Sequence, residues 1–279
     1  MTKSAPLKRS LLFIFGPPVL LSFLGVGLLV QSVSTASPKL EMVNEQISIN
    51  AAEGVAPPTP ALTDYIYPRL TIDSANQPLV VVNKLRALDP IDFAPPILTV
   101  MPSSESLDNS RELVLAPSAA NALVLMAEQM HAEGYGQLFV NSAYRTYDYQ
   151  VELFESKTRQ YGLAGALVRS AKAGHSEHQT GLAVDVSVPA QGCAIMTCFG
   201  ETVGGKWVAA NSWRFGFIVR YEEETTAITG YSYEPWHLRF VGEELANEYS
   251  ENGIHTLEEF WSLPAAEFYP EEVAESKID

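Results

Sequence analysis

One short stretch near the middle of the chain constrains the fold most. Leu182, Val184, Val186 and Val188 alternate with Ala183, Asp185 and Ser187, the period of two expected of a half-buried β-strand. In that reading the four apolar side chains face a core. Asp185 stands on the opposite face among small neighbours, where nothing crowds its carboxylate. His178 lies just upstream, across Gly181, and a glycine there supplies a turn that folds the imidazole back toward Asp185. A nitrogen and an oxygen converging in this way make two ligands of a zinc site.

The segment Glu234-Pro235-Trp236-His237 supplies a candidate for the third ligand. Pro235 cannot donate to a ladder, which puts Glu234 in a loop and His237 at the start of a strand. In that strand Trp236, Leu238 and Phe240 alternate with His237 and Arg239. Three protein ligands leave one coordination position for water, the mark of a catalytic rather than a structural site. Glu234, held by the stiff Pro-Trp, then hangs over the metal without binding it. From there it takes the proton of that water and later gives it to a leaving amine. Each group also has a plain structural reading: a His–Asp hydrogen bond, an aspartate that caps a turn, a Glu234–Arg239 ion pair.

The chain divides around this block. Residues 11–30 are uncharged and apolar, preceded by Lys3, Lys8 and Arg9, and residues 1–31 hold no acid. A run of about 20 such residues is long enough to span a bilayer as a helix, and the basic flank places the rest of the chain outside the cytoplasm. A cleaved signal peptide is the competing reading, with Ser34-Thr35-Ala36 as its cleavage site; core length favours the anchor. We therefore expect a cytoplasmic stub and transmembrane anchor over 1–31 and a linker over 32–61. A single domain over 62–268 and an acidic tail over 269–279 complete the division. All 33 acidic residues lie beyond the anchor, and the net charge is −15. That balance excludes a protein whose main partner is nucleic acid.

Within 62–268, residues 79–82 form a short β-branched run. Ser118 is a candidate cap for a helix through His131 that stops near Gly134. Residues 138–140 read as a strand, and 146–161 as a helix ended by Gly162. Residues 216–221 read as another strand, and Thr256 with Glu259 forms a capping box. Helices early and late with strands between them predict an α+β fold, a central and largely antiparallel sheet with helices packed on it.

Several separated blocks agree in order and spacing with one family. They are Val82-Asn83-Lys84, Ser142-Ala143-Tyr144-Arg145-Thr146 with Tyr149-Gln150, and the run from Gly174 through Ser176, His178 and Gly181 to Asp185. Phe215-Gly216-Phe217-Ile218, Arg220-Tyr221 and Thr229-Gly230-Tyr231 leading to Glu234-Pro235-Trp236-His237 continue the series. The chain resembles the VanY-type zinc D-alanyl-D-alanine carboxypeptidases, relatives of the VanX dipeptidase and of the hedgehog-like metallopeptidase fold. The resemblance implies zinc bound by His178, Asp185 and His237, with Glu234 as catalytic base. It also implies Arg145 near the scissile carbonyl, where a guanidinium stabilises the charge that builds on oxygen. Gln150 and Ser176 match positions implied to contact substrate or to order the loop, and Trp236 is expected with them as a substrate contact. The expected activity is release of the terminal D-alanine from peptidoglycan stem peptides. An L,D-carboxypeptidase, an endopeptidase and a non-catalytic wall-binding module stand as alternatives. Cys193 and Cys198 follow the second proposed ligand. Outside the cytoplasm they form either a disulfide that restrains a loop near the mouth of the site or two thiols.

Overall fold

The computed structural model describes residues 72–275. The expected anchor and linker lie outside the described residues, and among the described residues no helix is long and apolar enough to cross a membrane.

The first strands are short: β1 (Thr99–Val100), β2 (Leu107–Asp108) and β3 (Val114–Leu115). Helix α1 (Pro117–Ala132) starts one residue before the expected Ser118 cap. Pro117 occupies its first turn, where a missing N–H costs nothing and the fixed φ suits a helix. Its buried face, Ala119, Ala120, Leu123, Met126, Ala127 and Met130, recurs at helical spacing.

Strand β4 (Leu138–Ser142) follows, then α2 (Tyr147–Leu167), whose Thr146 cap accepts a hydrogen bond from the Tyr149 amide. Gly162 interrupts α2 with φ +71°, so the expected end of the helix appears as a kink rather than a stop. Strand β5 (Ala183–Ser187) is the predicted alternating strand. Helix α3 (Val203–Asn211) and strands β6 (Phe217–Val219) and β7 (His237–Phe240) flank the short α4 (Thr226–Thr229). The described chain ends with α5 (Glu243–Glu251), α6 (Leu257–Phe260) and α7 (Pro270–Glu275).

A five-stranded sheet runs in the order β2-β4-β5-β7-β6. Only the β2–β4 pairing is parallel, so the sheet is largely antiparallel as expected. Helices pack on both of its faces. Leu182, Val184, Val186 and Val188 share one core with the buried face of α1 and with Trp207 and Val208 of α3. Ile218 and Val241 turn the other way, into a second cluster with Leu245, Ala246 and Tyr249 of α5 and Leu257 and Phe260 of α6.

Three local expectations change. Strand β5 is buried at every position rather than half-buried. It lies in the middle of the sheet, and its polar face is covered by Arg145, His178 and Asn141. Residues 79–82 are buried but pair in no strand; they supply carbonyls to Arg86 and Arg239 instead. The Thr256 hydroxyl accepts from the Glu259 amide as a capping box requires, yet it donates to the Glu259 carboxylate, which leaves only half of the reciprocal pattern.

Candidate metal centre

The site forms across three neighbouring strands. Asp185 in the middle of β5 is paired with Ser142 of β4 on one side and with His237, the first residue of β7, on the other. Directly opposed residues place their side chains side by side, so the register alone brings Asp185 and His237 together. His178 arrives from the 3-10 turn Glu177–Thr180. That turn ends at Gly181 with φ +71°, a left-handed conformation that reverses the chain into β5.

His178 Nε2 lies 3.3 Å and His237 Nδ1 3.0 Å from Asp185 Oδ1. All three potential ligand atoms lie within 4.8 Å of one another. Zinc–ligand bonds of about 2.0–2.1 Å in a tetrahedron place donor atoms roughly 3.3 Å apart, so two nitrogens and one oxygen at these separations fit the ion. The remaining ring nitrogens are committed. His178 Nδ1 faces the Ala143 carbonyl at 2.7 Å, and His237 Nε2 faces Glu177 Oε2 at 3.3 Å. With zinc bound, such partners would fix the tautomer that presents the inner nitrogen to the ion.

Electrostatics follow from burial and from these contacts. Burial lowers His178 to a pKa of about 4, and the neighbouring Arg145 adds to the effect. Burial also opposes charge on His237, but hydrogen bonds to Asp185 and Glu177 outweigh it and hold the ring at about 9. Asp185 stays well below the usual carboxylate range despite burial, because His178, His237 and Arg145 favour its anion. Glu234 lies on the wall of the same cleft, and burial pushes its carboxyl up to about 7. Its amide donates to the Tyr221 carbonyl and its own carbonyl accepts from the His237 amide, which pins the loop before β7.

Arg145 follows the irregularity at the end of β4. Its Nε donates to Ser142 Oγ at 2.9 Å, Nη1 to Gln150 Oε1 at 3.2 Å and Nη2 to Asp185 Oδ2 at 2.9 Å. It therefore belongs to the site. Ser176 and Trp236 line the cleft, whose volume is about 570 Å3. Gln150 is fully buried behind Arg145, and its amide nitrogen donates to the Ala171 carbonyl, so it positions the guanidinium. Cys193 and Cys198 form a disulfide with Cα atoms 5.6 Å apart. The loop they close lends Ile195, Met196 and Thr197 to the cleft wall. A second cavity, of about 630 Å3, lies beside Trp213, Glu222 and Tyr249 and holds none of the three clustered ligands.

Sequence reasoning assigned no role to Glu177. It is wholly buried and accepts from Arg220 Nε at 2.9 Å and Arg239 Nη1 at 3.0 Å while facing His237. Arg220 is held in turn by both oxygens of Glu258, which also accepts from Asn83. The available signal was Arg239, which shares the His237 face of a core strand and so demands a buried acid. That partner is Glu177 and not Glu234.

A family profile described as VanY, D-alanyl-D-alanine carboxypeptidase, matches residues 112–243. YodJ of Bacillus subtilis (strain 168), whose name assigns it provisionally to the carboxypeptidases, is 38% identical over 192 residues, covering 68% of this chain and 69% of that protein. The solved structure of the LD-carboxypeptidase LdcB superimposes with a TM-score of 0.61 at 38% identity, covering 67% of this chain and 87% of that one. A variant of the vancomycin-resistance D,D-pentapeptidase VanY, solved in complex with Zn(II), gives 0.55 at 31% identity over 65% and 97%. The fold, the register that assembles the cleft and these similarities lead to one conclusion: the chain belongs to the VanY-type D-alanyl-D-alanine carboxypeptidase family.

Proposed function

We propose that the protein is a zinc metallocarboxypeptidase that hydrolyses the C-terminal D-alanine from peptidoglycan stem peptides. The observation that carries the reading is the convergence of His178, Asp185 and His237 on the floor of a cleft walled by Glu234 and Arg145. A zinc ion held by the two imidazoles and the Asp185 carboxylate would polarise the scissile carbonyl and bring the pKa of a water toward neutrality. Glu234 accepts the proton of the attacking water and hands it to the nitrogen of the departing D-alanine. Burial raises the proton affinity of its carboxyl above that of an ordinary glutamate, which suits a group that must both take and return a proton. Arg145 stands beside Asp185, where its guanidinium stabilises the carbonyl oxygen as negative charge gathers there. Ser142 and Gln150 fix that guanidinium in advance.

The likeness to the LD-carboxypeptidase LdcB favours a second version, in which the same groups cleave the tetrapeptide stem. Incubating the zinc-loaded chain with pentapeptide and tetrapeptide stems and identifying the released amino acid decides between them. Release from neither, with zinc bound, overturns both.

For placement in the cell, the reading is a single-pass membrane protein with residues 11–30 as the span and the domain extracytoplasmic. The basic stub, the uncharged run and the disulfide support it. The mass of the membrane-extracted protein is its test: retention of residues 1–36 agrees, and their loss identifies a cleaved, secreted form.

A further inference from the structure

We propose that the cleft contains a subsite for a carboxylate carried by the substrate upstream of the scissile bond, built by Lys157 and Arg169 around the ring of Tyr161. The inference rests on the carboxypeptidase reading and names a substrate feature that the same cleft selects.

One face of α2 forms the cleft wall. Tyr149, Leu153, Lys157 and Tyr161 recur every four residues and all four line the cleft. Tyr149 and Tyr161 are 55% and 45% exposed, so the stripe is an open groove rather than core. Immediately after Tyr161 the backbone breaks at Gly162, and the following turn brings Arg169 back to the same ring. The Arg169 guanidinium lies 5.2 Å and the Lys157 ammonium 5.8 Å from the Tyr161 centroid. Arg169 Nη1 donates to the Gly165 carbonyl, which orients the guanidinium.

The charge accounting points to an absent anion. The net charge of the chain is −15. Among the described residues, Arg86, Arg159, Lys172, Lys206 and Arg214 on the surface each pair with a carboxylate. Arg111 gives its guanidinium to the carbonyls of Val140 and Asn141. Lys157 and Arg169 make no ion pair with a carboxylate of the described residues; the acid whose charge Lys157 feels is Glu234, in the same cleft. Two like charges held against one ring leave a ready place for a carboxylate, which a guanidinium and an ammonium bind with charge-assisted hydrogen bonds.

Distance decides which carboxylate. Gln150, which touches Arg145, and Tyr161 are separated by about 16 Å of helix at 1.5 Å per residue. An extended peptide needs roughly four to five residues to cover that at about 3.3–3.6 Å each, and Lys157, one turn nearer to Gln150 at about 10 Å, shortens the gap to about three. The C-terminal carboxylate lies within a single residue of the scissile carbonyl and falls short. The acid is therefore about three residues before the bond that breaks.

The test uses the zinc-loaded full chain and two synthetic pentapeptides, L-Ala-γ-D-Glu-L-Lys-D-Ala-D-Ala with the α-carboxylate of D-Glu either free or amidated. We expect kcat/KM for D-alanine release to favour the free acid about tenfold, mainly through KM. That ratio should fall to about one in the Lys157→Gln/Arg169→Gln double variant. Because both peptides are compared within one variant, the ratio is insensitive to any loss of folded protein. An equal rate on both peptides in the wild type, or a preference that survives in the double variant, overturns the subsite. Turnover of neither pentapeptide refutes the D,D-carboxypeptidase reading instead and leaves the version that cleaves the tetrapeptide stem. Calorimetric affinities for the two peptides then decide the subsite: tighter binding of the free acid that the double variant loses supports it, and equal binding overturns it.

Discussion

Replacing Glu177 with glutamine removes one charge from the most deeply buried polar cluster of the domain. Glu177, Arg220, Arg239 and Glu258 are all inaccessible to solvent, and their two positive and two negative charges cancel. In the variant Arg220 keeps its two-pronged contact with Glu258, whereas Arg239 keeps only neutral acceptors, the glutamine oxygen and the carbonyls of Pro78, Val80 and Phe240. Breaking one partner of a buried pair costs about 3–5 kcal/mol, because the remaining charge is uncompensated in a poorly polarisable interior. For a domain of this size each kcal/mol lowers Tm by about 2–4 °C, so a fall of roughly 10 °C is expected. Glutamine preserves side-chain volume, which keeps a cavity term out of the comparison. The same substitution weakens the partner that orients His237, and loss of such a partner lowers metal affinity about 10–100-fold. Thermal unfolding in excess chelator reads the first effect alone, and zinc competition against a chromophoric chelator reads the second. Glu155→Gln, at an exposed pair with Arg159, serves as the control and should move Tm by no more than about 2 °C. If Glu177→Gln also shifts Tm by under about 2 °C and binds zinc as the wild type does, the account of the buried cluster is wrong.

Three further outcomes follow from the geometry. Gly181→Ala forces a side chain onto a residue at φ +71°, with Cβ 3.0 Å from Leu98 Cδ2 and 3.2 Å from the Ala116 nitrogen; urea unfolding should show a loss of at least about 1–2 kcal/mol, and an unchanged midpoint contradicts the turn's role. Replacing Cys193 and Cys198 with serine opens a loop closed across a sequence separation of 5, which should cost about 2 kcal/mol and raise KM, since residues 195–197 line the cleft; steady-state kinetics with KM unchanged would argue against a contribution of the loop to substrate binding. Arg145→Lys removes the planar fork shared among Ser142, Gln150 and Asp185, and kcat should fall by about 10²–10³ with KM altered far less; a change within twofold excludes a role in charge stabilisation.

What could be read in advance depended on whether the determining contact was local. The alternation of residues 182–188 and the Pro235 stop before His237 are local signals, and both strands appear where they point. The left-handed turn at Gly181 and the break at Gly162 are equally local, because a backbone conformation unfavourable to other residues selects glycine. The burial of both faces of β5 was invisible. It depends on β4 and β7 flanking the strand and on Arg145 lying over Asp185, contacts made across the sheet. Glu177 was missed for the same reason: its partners Arg220 and Arg239 lie 43 and 62 residues away along the chain. Gln150 was expected either to contact substrate or to order the loop, and its burial behind Arg145, visible only in three dimensions, makes it a support for the guanidinium. Spacing alone left the pairing of Cys193 and Cys198 open, and their 5.6 Å Cα separation suits the disulfide they form.

The central claim is that Glu234 moves the proton of the attacking water while His178, Asp185 and His237 hold the metal. Its most direct test is a paired measurement on Glu234→Gln: zinc content per chain, and the single-turnover rate of D-alanine release from a stem pentapeptide. The account predicts one zinc per chain in both proteins and a rate about 10²–10⁴ lower in the variant. Release at the wild-type rate by a variant that retains its zinc would contradict it.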